Sequence, residues 1–493
     1  MEIQRLIESG KLSAARDLLR ASATQFGSDA GLDNLAGVIE AQEHHYSAAE
    51  ANFKQAIGRR PQFTAAYLNL GRLYQENPAT YAQARTKALH IYDRLLSYEP
   101  RNSEANYQSA LLLLEDRKFQ ASLLRLSRLP RTTRGSAQAL SISCADYAGL
   151  GDRKNTSSEL SRFLEALDLS QADVRQLLLG IRPGKDNDIT ITALEGFGKR
   201  QRLPVDLQRS LGLAYEQSGR LDDARSILEK VAIDHMSVHA LFDLARVAYK
   251  QKDYKGALGY LAHARDLEPD NASVHYSFGV VCLDLELLAE AQKSFEKAVK
   301  LDPQNSSYNY AAGATSLFSH DPKDAVPYFQ EYLKRNPEDA RGRLAVGIAF
   351  FRARDYEQAR TWLDRAAQRP EAATSAHYYL GSLALQEGRL DDALPELQSA
   401  LRAKPEYPDA LAELGKYYFV RRNYAEAENQ LQRALKLNPD HMEANFYLLS
   451  LYARTRDPRY DTQSKRYEDL QKLRDTKSQE FLRMVEVRPF EAP

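Results

Sequence analysis

This sequence has few cysteine and tryptophan residues and no net charge. Among its 493 residues there are two cysteines and one tryptophan, and 67 basic residues balance 67 acidic ones. The cysteines, Cys144 and Cys282, are 138 residues apart, which excludes a disulfide framework and any zinc site built on paired cysteines. A chain without net charge does not have the basic composition of nucleic-acid-binding proteins, so we predict no nucleic-acid partner.

Long hydrophobic runs are also missing. No apolar run approaches the ~18 residues that a membrane-spanning helix needs, so we predict no membrane span. The first residues do not show a basic segment followed by an apolar one, which is the pattern of a secretory signal. The chain as it stands is therefore predicted to be cytoplasmic. The alternative is a periplasmic or secreted protein whose targeting segment is missing.

Motifs that carry catalysis are not found. The sequence contains no GxxxxGK[ST], HExxH, CxxC or GxSxG segment. The neighbouring His44 and His45 would point away from each other on a helix and make a poor metal pair. We therefore predict a protein that is not an enzyme and that uses neither a metal nor a cofactor.

The sequence does contain a strict internal repeat. From residue 279 to residue 415 a glycine recurs every 34 residues, an alanine follows each glycine by 12 residues, and a large apolar residue follows each alanine by four. A loop proline precedes most of these glycines by ten residues. The three columns are Gly279, Gly313, Gly347, Gly381 and Gly415; Ala291, Ala325, Ala359, Ala393 and Ala427; and Phe295, Phe329, Leu363, Leu397 and Leu431.

Each 34-residue unit has the pattern of a pair of helices. Between Pro303 and Pro337 the apolar spacing predicts helices over 306–319 and 322–335. The small residues of the glycine and alanine columns allow the two helices to approach closely, and the proline ends the second helix. Because the composition is 43% hydrophobic, we predict a packed all-α fold that is built from such pairs.

These columns resemble the tetratricopeptide repeat (TPR), a 34-residue helical hairpin with small residues at the same positions. The resemblance is strongest over 205–455 and extends to the N-terminal part of the chain, where Gly37, Ala49 and Phe53 repeat the register. It implies a superhelical solenoid of antiparallel helical hairpins, in which the first helix of each hairpin lines a concave binding face.

The pattern divides the chain into four segments. Residues 1–130 are predicted as an N-terminal TPR array, 131–204 as a degenerate helical junction, 205–455 as a C-terminal TPR array, and 456–493 as a capping helix and tail. The first hairpin is incomplete, because Gly10 matches the turn of a repeat whose first helix would begin before the first residue. Either that helix is a short cap or the natural protein extends upstream.

The resemblance places aromatic and cationic residues of the C-terminal array on the concave face. The predicted binding residues are Phe242, Tyr249, Tyr276, Tyr310, Phe351, Tyr378, Tyr379, Phe446, Arg246, Lys250, Arg341 and Arg352. The aromatic residues either form an apolar, hydroxyl-bearing track for a peptide or helix, or pack between neighbouring repeats. Arg341 and Arg352 are candidates for a local anion site.

The predicted function is a non-catalytic scaffold for protein–protein interaction, which binds peptide or helical segments of its partners on the concave TPR face. A first alternative is an exported component of a bacterial cell-envelope or secretion assembly. A second alternative is a regulatory TPR subunit of an enzyme complex such as a glycosyltransferase. Self-association is a further expectation, since the open ends of a solenoid expose apolar faces unless they are capped.

Overall fold

The computed structural model describes residues 2–182, 184–318 and 321–473, and the regular structure over these residues is helical. The chain forms two compact units, Met1–Asp234 (unit 1) and His235–Pro493 (unit 2). Each unit is a solenoid in which antiparallel helical hairpins stack on one another, as the repeat pattern predicts. Within the described part of the chain, we find no helix that combines the length and the apolar character needed to cross a bilayer.

Unit 1 contains the first fifteen helices. Most of them pack in antiparallel pairs, and α12 and α13 pack beside neighbouring pairs as single helices. Their bounds are α1 Glu2–Glu8, α2 Leu12–Phe26, α3 Ala30–Gln42, α4 Tyr46–Arg59, α5 Thr64–Glu76, α6 Ala84–Tyr98, α7 Ser103–Glu115, α8 Phe119–Ser127, α9 Arg131–Arg134, α10 Ala137–Leu150, α11 Arg153–Glu165, α12 Gln171–Gly180, α13 Asn187–Gly198, α14 Val205–Gln217 and α15 Leu221–Asp234.

Unit 2 contains the regular hairpins. In each hairpin an even-numbered first helix packs against the odd-numbered second helix that follows it. Their bounds are α16 Val238–Lys250, α17 Tyr254–Leu267, α18 Ala272–Asp284, α19 Leu288–Leu301, α20 Ser306–Ser316, α21 Ala325–Arg335, α22 Ala340–Arg352, α23 Tyr356–Ala367, α24 Pro370–Gln386, α25 Leu390–Ala403, α26 Pro408–Val420, α27 Tyr424–Leu437, α28 Met442–Thr455 and α29 Tyr460–Leu473.

The glycine column marks the closest approach of the two helices in a hairpin. A methyl group added at Gly279 would lie 2.7 Å from the Phe295 ring, and one at Gly347 would lie 2.8 Å from the Leu363 side chain. The large residue that follows each glycine by 16 positions therefore fills the space that a side chain on the first helix would need. The spacing of the columns predicts this close contact.

A residue with positive φ ends the first helix of most hairpins, seven positions after the glycine column. Gly388 has φ 73°, but Glu286, Arg354 and Arg422 adopt the same left-handed conformation with φ of 63°, 59° and 65°. The backbone N–H of Arg422 closes the helix by donating to a carbonyl of the preceding turn, at 3.0 Å. Because this column holds no common residue type, the sequence pattern does not reveal it.

A column of side-chain hydrogen bonds ties the first helix to the loop before it. Four positions before the glycine column, the side chain donates to the backbone carbonyl of the residue six positions earlier. Asn309 Nδ2 lies 2.8 Å from the Pro303 oxygen, and Asn445 Nδ2 lies 3.1 Å from the Pro439 oxygen. The other residues that make this contact are Tyr67, Asn106, His275 and Arg343.

The hairpin of α20 and α21 differs from the predicted bounds of 306–319 and 322–335. Helix α20 ends at Ser316, and a 3-10 turn over Pro322–Asp324 precedes α21. Asp321 caps this turn by accepting a hydrogen bond of 2.9 Å from the backbone N–H of Lys323. Because the capped turn is tighter than an α-helix, the α-helical hydrogen-bond ladder begins only after it.

The middle of the chain keeps the hairpin geometry in a degenerate form. Helices α10 and α11 pair as a hairpin, and Gly151 between them has the left-handed φ of 77°. Seven positions earlier Cys144 occupies the glycine position, and its buried thiol lies 3.7 Å from the carbonyl oxygen of Thr156. A small residue is thus retained where the two helices meet, although the glycine is not.

Helix α29 packs on α28, the first helix of the last hairpin in unit 2. It lies in the segment where a capping helix is predicted. Gln463 Nε2 donates to the backbone oxygen and to the Oδ1 of Asn445, at 3.1 and 2.9 Å. Arg459 forms an ion pair of 2.6 Å with Glu428 on α27. Residues 474–493, where we predict the end of this helix and a tail, lie outside the described residues.

Candidate functional site

The first helices of unit 2 carry the predicted binding residues. Helices α22, α24, α26 and α28 each contact the next one in this order, in addition to their own second helices. Their side chains therefore form one continuous surface. We call this surface, which comprises side chains of these four helices between residues 341 and 454, the first-helix face.

The predicted residues on α16 form polar contacts within unit 2. The hydroxyl of Tyr249 donates to Asp284 on α18 at 2.6 Å, and burial together with this carboxylate raises the pKa of Tyr249. Arg246 lies 3.1 Å from the buried carboxylate of Asp243. Phe242 is half-buried. Of these side chains, Tyr249 connects α16 to α18, and Lys250 at the end of α16 is exposed.

Tyr276 and Tyr310 are buried between neighbouring hairpins. The Tyr276 ring lies 5.0 Å from the ring of Tyr308, and the Tyr310 ring lies 4.9 Å from that of Tyr332, measured between ring centroids. Both side chains thus pack inside unit 2, and a role of either one in binding stays a prediction. Their rings are part of the core that stacks one repeat on the next.

A cluster of aromatic rings joins α22 to α24; Phe351 and Tyr378 are partly exposed, and Tyr379 and Tyr407 are buried. The ring centroids of Phe351 and Tyr379 are 5.4 Å apart, and Tyr378 packs against both Tyr379 and Tyr407, at 4.9 and 5.2 Å. Burial raises the pKa of Tyr378 and of Tyr379.

Arg352 ends α22 beside this cluster. Its guanidinium lies 5.2 Å from the centre of the Phe318 ring, a cation–π geometry. Burial lowers the pKa of Arg352, and the neighbouring Tyr379 raises it in part. Arg341 stands at the opposite end of α22, where two of its nitrogens bind Asp339. Eleven helical residues separate the two arginines by roughly 16 Å, so one small anion does not bridge them.

At the C-terminal end of the face, aromatic side chains join α26 to α28. Phe419 packs against Tyr447 at 5.7 Å, and Tyr447 packs against Phe446 at 5.2 Å. Phe446 is 42% exposed, and it also lies 5.7 Å from Tyr467 on α29. This aromatic group is the most accessible part of the predicted track.

A charged network lies next to these rings. Lys416 Nζ is 3.1 Å from a carboxylate oxygen of Glu413 and 3.2 Å from one of Glu443, and Ser382 donates to Glu413 at 2.7 Å. Burial and Glu443 raise the pKa of Glu413. Burial alone would lower the pKa of Lys416, but the two carboxylates hold it above its ordinary value. The spacing of Glu413 and Lys416, three residues apart on one helix, was the available sequence signal.

Unit 1 contains a separate recess on its own first helices, between α3 and α5. Its volume is about 440 Å³, within the range of ligand pockets. Side-chain amides cross from hairpin to hairpin beside it, since Asn69 Nδ2 donates to Asn34 at 3.0 Å. The lining residues are Val38, Ala41, Gln42, His44, Tyr46, Phe53, Asn69, Arg72, Leu73, Glu76 and Asn77. The sequence analysis did not predict this recess.

Glu40, Glu43 and His45 bring potential metal-ligating atoms within 4.8 Å of one another. Arg16 also lies in this cluster, 2.6 Å from Glu40 and in contact with Glu43. The guanidinium lowers the pKa of Glu40 by hydrogen bonding. The arginine thus neutralises the carboxylates, and the group has the geometry of an ion-pair network.

Family models match three stretches of the chain. Models of the tetratricopeptide repeat match residues 310–375 and 384–455. A model described as anaphase-promoting complex, cyclosome, subunit 3 matches residues 217–298. These stretches lie within the region where the glycine and alanine columns are found.

Among curated proteins, the chain is similar to the protein O-mannosyl-transferase TMTC3 of Homo sapiens. The two are 24% identical over 272 residues, which cover 53% of this chain and 28% of the human protein. The match thus spans less than a third of that relative's length.

Among solved structures, the chain is similar to a tetratricopeptide repeat protein from Parabacteroides merdae ATCC 43184, with 14% identity, a TM-score of 0.41, and coverage of 50% of this chain and 98% of that one. It is also similar to the APC/C hetero-tetramer Cut9–Hcn1, with 16% identity, a TM-score of 0.42, and coverage of 94% and 97%. The 34-residue register and the matching repeat models agree on the family. The chain is a tetratricopeptide repeat protein.

Proposed function

We propose that this protein is a non-catalytic scaffold that binds an extended peptide segment of a protein partner on the first-helix face of unit 2. TPR proteins generally act through protein–protein interaction, and the peptide and its place are our inference. The observation that carries the proposal is the succession of aromatic side chains on first helices that contact one another, with Phe351 on α22, Tyr378 and Tyr379 on α24, and Phe446 on α28.

This surface offers what an extended chain needs. Partly exposed rings provide apolar contact area at a low cost in conformational entropy, and tyrosine and serine hydroxyls can bond to a peptide backbone. On this surface Phe446 is exposed, and Phe351 and Tyr378 are partly exposed. Tyr276 and Tyr310 lie outside this surface, on α18 and α20, where their rings are buried.

The test is peptide selection on the full chain. Random peptides of about 16 residues, which are long enough to span several hairpins, are displayed, and the affinity of the selected peptides is measured by fluorescence anisotropy. We expect a combined Phe351→Ala and Phe446→Ala variant to bind these peptides at least about tenfold more weakly, because aromatic anchors dominate such interfaces. Equal affinity for both proteins would exclude the first-helix face as the binding site.

A matched control uses apolar side chains that are equally exposed but lie on second helices. Leu267 on α17 and Leu437 on α27 are 49% and 41% exposed. Their combined replacement by alanine should leave peptide affinity unchanged. Circular dichroism checks that each variant keeps its helical content, which separates loss of binding from loss of fold.

A second candidate function rests on the similarity to the O-mannosyl-transferase TMTC3. According to this interpretation, the chain is the regulatory, partner-binding part of a glycosyltransferase assembly. The test is whether the chain isolated from its source cells carries an activity that transfers labelled mannose to an added acceptor protein. Isolation without any such activity would argue against this reading. Export as a cell-envelope component and self-association stay predictions.

A further inference from the structure

Charge is distributed unevenly along the first-helix face. We propose that the peptide bound there carries an acidic residue that contacts Arg352 and, about nine positions along the extended chain, a basic residue that contacts Glu443 beside the Phe446 and Tyr447 rings. This inference rests on the proposed function and specifies the chemistry of the ligand.

Arg352 forms the basic end of the face. Arg352 is an exposed residue, and its guanidinium lies against the Phe318 ring, next to Phe351 in the sequence. A carboxylate that approaches this arginine gains a charge-assisted hydrogen bond in a place where the rings exclude part of the solvent. Arg341 does not extend this end, because Asp339 already neutralises it.

The middle of the face carries hydroxyl and amide groups. Helix α24 contributes Tyr378, Tyr379, Ser382 and Gln386 at the positions that continue the track. Ser382 is buried and donates to Glu413. A peptide that crosses α24 therefore meets the partly exposed Tyr378 ring and the exposed Gln386 amide, and the charged side chains lie at the two ends of its path.

Carboxylates outnumber cations at the other end. Lys416 neutralises one of its two carboxylate partners, and Glu413 is the buried one, with 3% exposure. Glu443 keeps a side chain that is 37% exposed, and Asp409 on α26 is 47% exposed and accepts a hydrogen bond of 3.1 Å from His441. The three carboxylates of this group thus outnumber its one lysine, and the two exposed ones, Glu443 and Asp409, face the solvent.

Lys416 also shows how this place holds a cation. Its ammonium group lies between two carboxylates and 5.7 Å from the centre of the Tyr447 ring. A lysine or arginine of the peptide would meet the same chemistry from the outer side, on Glu443 and the exposed Phe446 ring. Arg454, the next cation along α28, lies eleven residues beyond Glu443, roughly 16 Å away along the helix.

The spacing of the two charges follows from helix packing. Three steps between first helices, from α22 to α28, amount to about 27 Å at about 9 Å per step. Arg352 ends its helix and Glu443 begins its own, which adds an offset of roughly 16 Å along the helix axis. The combined separation of about 30 Å corresponds to about nine residues of extended chain.

The test is a charge-reversal experiment on the full chain with the selected peptides. Peptides that bind the wild type should be enriched in an acidic residue and a basic residue about nine positions apart. Glu443→Lys should weaken their binding at least about tenfold, and Arg352→Glu should do the same. The double variant should bind a peptide in which the two charges are exchanged.

Two further variants, Glu443→Gln and Arg352→Gln, remove each charge without introducing the opposite one. They show whether a reversed variant binds weakly because of its charge or because of local misfolding. Matched controls are Glu290→Lys and Lys293→Glu, which reverse exposed charges on the second helix α19 and should leave binding unchanged. The inference is overturned if the selected peptides lack the charged pair, or if all charge variants bind them like the wild type. If no peptide distinguishes the wild type from the Phe351 and Phe446 variant, the proposed function itself fails.

Discussion

Individual residues of the inter-helix turn adopt a backbone conformation that favours glycine. Arg422 has φ 65°, in the left-handed region where a side chain costs about 1–2 kcal/mol. We expect Arg422→Gly to stabilise unit 2 by about 0.5–1 kcal/mol, since glycine avoids this cost but loses more chain entropy. The neighbouring Arg421 has an ordinary φ of −73°, so Arg421→Gly should destabilise the unit. Thermal unfolding of both variants measures the difference, and shifts of equal sign would refute the argument.

Asp146 on α10 is a buried carboxyl group with 0% exposure. Among the described residues, neither of its oxygens has a hydrogen-bond partner, and the nearby Ser122 hydroxyl donates to the Ala110 carbonyl instead. Burial raises the pKa of Asp146 to about 8 from an ordinary value of 3.8. The folded protein therefore keeps this proton over a pH range in which the unfolded chain has lost it.

The sign of the resulting pH dependence follows directly. The stability contributed by protonated Asp146 is fully present below about pH 4 and is lost as the pH rises toward about 8, by at most about 1.4 kcal/mol per pH unit. We expect Asp146→Asn to remove this slope and to raise stability at pH 7. Urea unfolding of unit 1 at pH 5 and pH 7 measures this slope as the difference between the two free energies of unfolding. The exposed Asp188→Asn serves as control, and an unchanged slope in the Asp146 variant would contradict the prediction.

At the scale of the element, the hairpin depends on the pairing of a glycine with a large residue 16 positions later. A methyl group at Gly313 would lie 2.8 Å from the Phe329 ring. We expect Gly313→Ala to destabilise unit 2 by about 1–3 kcal/mol, because the ring or the helices must move apart. Adding Phe329→Leu should not restore this loss, since a methyl group at Gly347 lies at the same 2.8 Å from the leucine that occupies this column, Leu363.

The control for this prediction is another helical glycine. A methyl group at Gly259 on α17 would meet no atom within 4 Å. Gly259→Ala should therefore stabilise the helix by about 0.5–1 kcal/mol through the lower entropy of the unfolded chain. Thermal unfolding of both alanine variants compares them. Equal effects of the two substitutions would show that close helix contact is not what the glycine column provides.

The elements differ in how far the sequence could predict them. The columns predict the hairpins because each column reflects a contact that only small or only large residues allow. The tight turn at Pro322–Asp324 was missed, because the spacing of apolar residues does not distinguish a 3-10 turn from a helix. The aromatic track was predicted as one set, yet Tyr276 is buried and Phe446 is exposed. Their exposure depends on neighbouring repeats, which a single repeat's sequence does not specify.

At the scale of the whole molecule, contacts in a solenoid are local, so stability is close to a sum over neighbouring repeats. Units 1 and 2 are each compact. A change in one unit should then affect mainly the repeats around it. The substitution Asp146→Asn tests this expectation in unit 1, and Gly313→Ala tests it in unit 2.

Hydrogen exchange followed by mass spectrometry can locate these effects along the chain. We expect Asp146→Asn to slow exchange in α7 to α12, and Gly313→Ala to speed exchange in α18 to α22, because amide protection reports the local opening free energy. Each substitution should leave the other unit's exchange unchanged. If either one altered protection evenly over both units, the chain would unfold as a single cooperative body, and the nearest-neighbour description of this solenoid would be wrong.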